Sequence, residues 1–128
     1  MVDVSGKSDT IRTAVAVGRV ILGKEAFLQV QENTVRKGDV ISIAQSAGIR
    51  GAKETPRLIP LCHQGQVQGV NVELTLNETG YALDIRSFAK SVGPTGVEME
   101  ALTAVSIAAL TVYDMCKSIT KDLRIEGI

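Results

Sequence analysis

Apolar and polar positions along this 128-residue chain follow two periods. Alternation with a period of two predicts strands, and apolar residues that recur every three or four positions predict helices. The second of three predicted helices is expected to end at Thr55-Pro56. In chain order the predicted elements are a strand at 13–21, helices at 24–32 and 40–53, strands at 68–76 and 81–90, a long helix at 95–117 and a short strand at 123–126.

This order of elements predicts the fold class. A strand, helices, a hairpin of two strands, a long helix and a last strand are close to the β-α-β-β-α-β arrangement. We therefore expect one α+β domain over residues 1–128, with an antiparallel sheet whose helices pack on one face. The other face would stay open, and together with a strongly apolar long helix it predicts an oligomer.

The long helix has a predicted start and a predicted environment. Thr95 can cap it with its hydroxyl, and Glu98, three residues later, completes a capping box. Apolar side chains cover more than half of its circumference. We therefore expect it to be buried against the sheet on one side and against a second subunit on the other.

Asp114 and Lys117 lie three positions apart near the end of this helix, so their side chains can meet on one face. Two interpretations are open. A surface ion pair is the common outcome of this spacing and contributes about 0–1 kcal/mol. If the pair instead lies in a cleft, partial desolvation would tune the lysine for acid-base work.

Composition narrows the function classes. The chain has 14 Lys and Arg against 14 Asp and Glu, so no overall field attracts nucleic acid or anionic lipid. Two Phe, two Tyr and no Trp argue against a stacking platform for single-stranded nucleic acid. The two cysteines and the lack of a signal-peptide pattern predict a reducing, cytoplasmic setting. The apolar run at 101–110 is too short to span a bilayer, so no membrane role is predicted.

His63, the single histidine, ends an apolar segment at 58–63. A histidine in such a position is more often packed and hydrogen-bonded than a ligand. The adjacent Cys62 suggests zinc, but a structural zinc site needs four ligands at recognised spacings, and no others are found. Neither a metal nor a cofactor is therefore predicted.

The first ten residues are polar and contain glycine, which predicts a frayed N-terminus. Asp3, Lys7 and Arg12 would then be solvated.

Five segments of the chain resemble a known family. They are MVDVS at 1–5, KGDV at 37–40, LIPLCH at 58–63, TGVEMEALTA at 95–104 and ALTVYDMCK at 109–117. Together they are similar to the molybdenum cofactor biosynthesis protein C family, cyclic pyranopterin monophosphate synthase, and TGVEMEALT and YDMCK are the most specific. The resemblance implies a ferredoxin-like α+β fold, a homohexamer built as a trimer of dimers, and active sites at the dimer interface.

The resemblance also implies the reaction. The substrate would be (8S)-3′,8-cyclo-7,8-dihydroguanosine 5′-triphosphate, made by a radical GTP cyclase, and the products cyclic pyranopterin monophosphate and pyrophosphate. Matching motifs carry over Asp114, Lys117 and Lys37 as the catalytic acid-base set, with Lys37 coming from a neighbouring subunit. The substrate-binding positions carried over in the same way are Leu61, Cys62, His63, Met99, Glu100, Glu98, Lys53 and Arg12.

The implied chemistry suits these residue types. Opening a purine ring, rebuilding it as a pterin and closing a cyclic phosphate move several protons, which coupled Lys and Asp side chains can carry. A triphosphate also needs cations gathered from separate segments. One departure is Gln64, where the family has proline after LCH, so the backbone beyond His63 is expected to be less constrained.

Two other function classes stay open at this point. The first is a non-catalytic subunit that binds a pterin or a nucleotide, and the second is a structural oligomerisation domain. Periodicity alone would allow the second class. The first class is disfavoured because binding alone would not require the acid-base pair. That pair, Asp114 and Lys117, occurs together with three further ionisable residues, Lys37, His63 and Glu98.

Overall fold

The computed structural model describes residues 1–63, 65 and 67–128. Within that part of the chain, three helices and a four-stranded antiparallel sheet form an α+β fold, which confirms the predicted fold class at this level. Gln64, expected to loosen the backbone after His63, lies outside the described residues.

The order of the elements is the predicted one. They are β1 (Thr10–Ile21), α1 (Lys24–Glu32), α2 (Val40–Leu58), β2 (Gly69–Asn77), β3 (Ala82–Gly93), α3 (Glu98–Cys116) and β4 (Arg124–Glu126). The strand order in the sheet is β2-β3-β1-β4, and each neighbouring pair is antiparallel. β1 begins three residues earlier than predicted because Thr10 to Arg12 pair with the end of β3.

α2 continues beyond its predicted end at residue 53 and contains Pro56. Proline removes one backbone donor and so weakens a helix at that point. The bonds beside it persist: the Thr55 hydroxyl donates to Gly51 O at 3.1 Å, and the Ile59 N–H donates to Thr55 O at 3.0 Å. The prediction that Thr55-Pro56 closes the helix is therefore wrong, since the fully buried Thr55 holds the turn that proline weakens.

α3 begins at Glu98, and no side chain caps it, so the predicted Thr95 cap is wrong. The reason lies in β1. Arg12 donates from Nε to Gly93 O and from Nη2 to Pro94 O, at 3.2 Å in both cases. These bonds hold the segment before Thr95 in a loop instead of a first helical turn. Arg12, expected to be solvated, is partly buried by this contact.

α3 is the central element of the core. It packs on β1 and β3 from one side, and α2 packs against it from another. Its length and composition would suit a membrane span, but more than half of its residues are buried inside the fold. Burial against the sheet is therefore confirmed. The side expected to meet a second subunit is largely covered by α2, which leaves Leu102 and Leu110 exposed.

The close packing of α2 on α3 depends on two glycines. A Cβ added at Gly48 would lie 2.9 Å from the Ala104 carbonyl oxygen and 3.2 Å from Ala108 Cβ. A Cβ added at Gly51 would lie 2.8 Å from Ile107 Cγ1. Larger residues at these positions would push the two helices apart.

The second face of the sheet is not covered by any described helix. Ile11, Val15 and Val17 of β1 are exposed on it by 68%, 51% and 54%. A contiguous apolar surface of this kind is uncommon on a protein that stays monomeric. The prediction of an open sheet face is therefore confirmed.

We predict that Gly48→Ala destabilises the protein by about 1–3 kcal/mol, because the new methyl group meets a backbone oxygen that cannot rotate away. The sign of this change in the free energy of unfolding is informative. In a helix without the close contact, alanine in place of glycine would stabilise the protein by about 1 kcal/mol. Urea unfolding measures the change, with Ser46→Ala on the exposed side of α2 as control. A stabilised Gly48→Ala variant would contradict the close helix contact.

Candidate active site

Asp114 lies in the last turn of α3, between two lysines. Lys117 Nζ is 3.0 Å from Asp114 Oδ1, and Lys37 Nζ is 2.9 Å from Asp114 Oδ2. Lys37 Nζ also lies 3.4 Å from the backbone oxygen of Asp114. These three residues form a single group, called here the Asp114 cluster.

The start of α2 positions Lys37. Gly38 has a φ of 121°, in the region that favours glycine, so the chain turns immediately after Lys37. Asp39 then caps α2 by accepting from Ser42 N at 3.1 Å. Because α2 packs antiparallel to α3, its N-terminal end meets the C-terminal end of α3, and Lys37 reaches Asp114 there.

The electrostatics of the Asp114 cluster favour a carboxylate held by two ammonium groups. The hydrogen bond from Lys37, followed by that from Lys117, holds the pKa of Asp114 below its ordinary value. All three side chains are about half exposed, at 48% for Lys37, 54% for Asp114 and 59% for Lys117. The acid-base interpretation of the Asp114 and Lys117 spacing required the pair to lie in a cleft. The described part of the chain does not by itself form that cleft around the pair.

A second group of predicted residues lies at the other end of α3. A cavity of about 210 Å³ opens where the β3–α3 loop leads into the helix. We call it the helix-start pocket. It is lined by Cys62, His63, Thr95, Gly96, Glu98, Met99 and Glu100.

Glu100 gives the helix-start pocket an unusual carboxyl group. Its side chain is only 6% exposed, and this desolvation raises its pKa. Burial, and then the negative charge of Glu100, raises the pKa of the Cys62 thiol. Glu100 can therefore exchange a proton closer to neutral pH than an ordinary glutamate, whereas Cys62 is poorly suited to act as a thiolate nucleophile.

Three predicted substrate-binding residues do not line this pocket. Arg12 donates to the β3–α3 loop that forms one pocket wall, so it supports the site through the backbone. Leu61 is 70% exposed in the turn after α2. Lys53 is exposed on the C-terminal half of α2.

The Asp114 cluster and the helix-start pocket are far apart within one chain. Met99 and Asp114 are separated by 15 helical positions of α3, which corresponds to about 22 Å at 1.5 Å per residue. The structure thus brings Lys37, Asp114 and Lys117 together but does not bring them to His63. The expectation that Lys37 comes from a neighbouring subunit to meet Lys117 is wrong, because Lys37 bonds Asp114 of its own chain.

Sequence reasoning missed one broad concavity of the described residues. It occupies about 670 Å³ over the open sheet face, and its lining includes no residue of the Asp114 cluster. Arg19 and Asp84 form an ion pair there at 2.5 Å, and this bond lowers the pKa of Asp84. Arg19 and Asp84 lie on two predicted strands and are opposite each other in the sheet. Their opposite charges on these strands were the signal by which the sequence could have revealed the pair. The concavity is a broad sheet surface with paired charges.

No group of three or more His, Cys, Asp or Glu side chains placed to hold a metal ion occurs in the described residues. The side chains gathered at both ends of α3 are suited instead to binding anions and moving protons. Two lysines around a carboxylate offer the cations, and a buried carboxyl group beside a histidine offers titratable partners.

Comparison with known proteins gives matches over the full chain. The family model described as MoaC family matches residues 1–128. A cyclic pyranopterin monophosphate synthase of Salinibacter ruber is 63% identical over 128 residues, which are all of this chain and 75% of the relative. The mitochondrial cyclic pyranopterin monophosphate synthase of Arabidopsis thaliana is 53% identical over all of this chain and 47% of the relative. Molybdenum cofactor biosynthesis protein 1 of Homo sapiens is 50% identical over all of this chain and 20% of the relative.

We predict that Asp114 contributes to stability in a pH-dependent way. Because its pKa in the folded state is lowered, the two ion pairs stabilise the fold above the unfolded pKa of about 3.9 and are lost as pH falls through the folded pKa. The unfolding midpoint of Asp114→Asn should therefore lie below that of the unsubstituted protein at pH 7, and the two should converge on acidification below about pH 4.

Asp122→Asn, at an exposed carboxylate, is the control for that experiment, and thermal melts between pH 7 and pH 3 provide the measurement. A difference between Asp114→Asn and the unsubstituted protein that stays constant over this range would contradict the charge pairing.

Proposed function

The chain belongs to the MoaC family, and from this premise we propose that it is an enzyme of molybdenum cofactor biosynthesis that forms cyclic pyranopterin monophosphate. The observation that carries the proposal is the carboxylate of Asp114 held between Lys37 and Lys117. A subunit that only bound its ligand would not need these three groups in mutual contact.

The substrate we assign is the 3′,8-cyclised dihydroguanosine triphosphate, supplied by a radical GTP cyclase. To close the cyclic phosphate, a substrate hydroxyl attacks the α-phosphorus and the bond to the β-phosphate oxygen breaks. The hydroxyl proton passes to a base, and pyrophosphate leaves with the electron pair of the broken bond. The purine imidazole ring is opened by water, which requires further proton transfers.

The Asp114 cluster supports a division of roles in these transfers. The carboxylate accepts one bond from each lysine and orients both ammonium groups. Each ammonium group has three donors. Lys117 uses one of them on Asp114 and Lys37 uses two, so two donors of Lys117 and one of Lys37 remain for substrate oxygens or nitrogens. We assign Lys37 and Lys117 as the groups that give and take protons, and Asp114 as the residue that holds them.

The separation of about 22 Å along α3 supports an active site shared between subunits. In this arrangement the Asp114 cluster of one subunit faces the helix-start pocket of another, so that His63 and Glu100 meet the lysines across an interface. Contact with a partner would also remove water from the half-exposed lysines, which strengthens their interactions with a charged substrate.

An oligomer, which we propose to be a hexamer built as a trimer of dimers, accords with the exposed apolar side chains Ile11, Val15 and Val17. The strand order β2-β3-β1-β4 accords with a ferredoxin-like fold. The cytoplasmic location expected from cysteine usage stays a prediction.

We predict that Lys117→Ala and Asp114→Asn each lower turnover by about 100-fold or more, as for a positioned acid or base. The double variant should be little worse than either single one, because residues that act as a unit are not additive. Pyrophosphate release from the cyclised triphosphate provides the measurement, and Lys121→Ala, on the exposed segment after α3, is the control. A protein that bound this substrate without releasing pyrophosphate would instead be a non-catalytic subunit.

We further predict that two inactive variants restore each other's activity only when their substitutions lie in different parts of the site. A mixture of His63→Ala and Lys117→Ala subunits, after exchange, forms sites with an intact pocket from one chain and an intact cluster from the other. With random exchange into equal dimers, about a quarter of all sites are intact.

A mixture of Lys37→Ala and Lys117→Ala is the matched control. It should stay inactive, because both lysines belong to the cluster of a single chain. Native mass spectrometry establishes that subunits have exchanged. Recovery in the control mixture, or none in the test mixture, would overturn the shared site as assigned here.

A further inference from the structure

The N-terminal segment contacts one residue of the helix-start pocket through its backbone. His63 Nε2 contacts the backbone carbonyl oxygen of Val2, 61 positions away in the chain. Asp3 Oδ1 accepts from Ser5 N at 2.9 Å, and the Lys7 N–H donates to Val4 O at 3.0 Å, so the segment forms a hydrogen-bonded turn. We call residues 1–9 the N-terminal strap. The expectation that Asp3 and Lys7 are solvated is confirmed, because both are exposed. The hydrogen-bonded turn and the contact with His63 were not expected from the sequence.

The strap is followed in the chain by residues that bond to the loop forming the pocket wall. It leads directly into β1, whose first residue, Thr10, pairs with Gly93 at the end of β3. Two residues further, Arg12 donates to Gly93 O and Pro94 O. The strap is therefore attached at its C-terminal end to the same loop whose next residues line the pocket with His63.

The contact determines which nitrogen of His63 carries the proton. A carbonyl oxygen can only accept, so Nε2 must donate to Val2 O and must be protonated. In the neutral ring Nδ1 is then an acceptor, and in the charged ring it is a second donor. Since Nε2 is engaged by the strap, Nδ1 is the ring nitrogen through which His63 can meet a ligand in the cavities that it lines.

We propose that the N-terminal strap is a positioning element of the active site: the backbone carbonyl of Val2 fixes the Nε2–H tautomer and the ring orientation of His63, so that Nδ1 faces the ligand. The part of this inference that concerns catalysis rests on the proposed function, whereas the tautomer can be measured on the protein alone. The strap requires the backbone at Val2 and not its side chain, which makes the assignment testable by matched variants.

The first test is the tautomer itself, measured by ¹⁵N NMR of the imidazole. His63 is the single histidine of the chain, so its ring signals need no further assignment. At about pH 8.5, well above the ordinary histidine pKa of about 6.5, the unsubstituted protein should show protonated Nε2 and unprotonated Nδ1.

Deletion of residues 2–4 removes the carbonyl and leaves β1 complete, so the two tautomers should become mixed. Val2→Ala keeps the carbonyl and should keep the Nε2–H tautomer. An Nδ1–H tautomer in the unsubstituted protein, or the same pure tautomer after the deletion, would overturn the proposal.

The second test asks whether the strap acts through His63. Deletion of residues 2–4 should lower kcat/KM by about tenfold or more, because a displaced ring no longer meets the reacting groups. In a His63→Ala background the same deletion should change kcat/KM by less than about twofold, since the group that it positions is gone. An equal loss in both backgrounds would mean that the strap acts elsewhere and would overturn the proposal.

The two tests separate this inference from the proposed function. If the unsubstituted protein releases no pyrophosphate, the proposed function fails, and the tautomer measurement still decides whether the strap positions His63. If the protein is active and the tautomer is unchanged by the deletion, the proposed function stands and the strap proposal fails.

Discussion

The contact between α2 and α3 is the constraint on which the rest of the structure depends. Gly48 and Gly51 let the two helix backbones approach until an added methyl group would touch the Ala104 carbonyl oxygen or the Ile107 side chain. Because the helices run antiparallel, this contact fixes both ends of α2 at once. Its N-terminal end delivers Lys37 to Asp114, and the segment after its C-terminal end delivers Cys62 and His63 to the start of α3.

Because α3 is 19 residues long, it also keeps the two groups of predicted site residues apart. The three groups of the Asp114 cluster meet at one end of α3, and the titratable pocket residues meet at the other, too far for side chains to bridge within a chain. A small enzyme can resolve this by pairing opposite ends of two copies. Under the shared site that we propose, each subunit would carry half of two sites, and catalysis would require the oligomer.

The solvent exposure of the Asp114 cluster has a similar consequence. In one chain the ion pairs are half exposed, where such pairs contribute little to stability. This accords with the proposal that the cluster serves a bound anion more than the stability of the fold. A neutral chain that gathers two lysines at one carboxylate has created a local cationic site without an overall positive charge.

The sequence by itself determined the features that depend on neighbouring residues. The periods of apolar positions gave the order of strands and helices, and the spacing of Asp114 and Lys117 gave their contact, because both follow from the local geometry of one element. Only the tertiary structure decided the features that depend on distant backbone groups. Thr95 fails to cap α3 because Arg12, more than 80 positions earlier, holds the carbonyls of the loop before it. His63 contacts the backbone carbonyl of Val2, and neither periodicity nor a motif predicts a contact between a side chain and a distant peptide group.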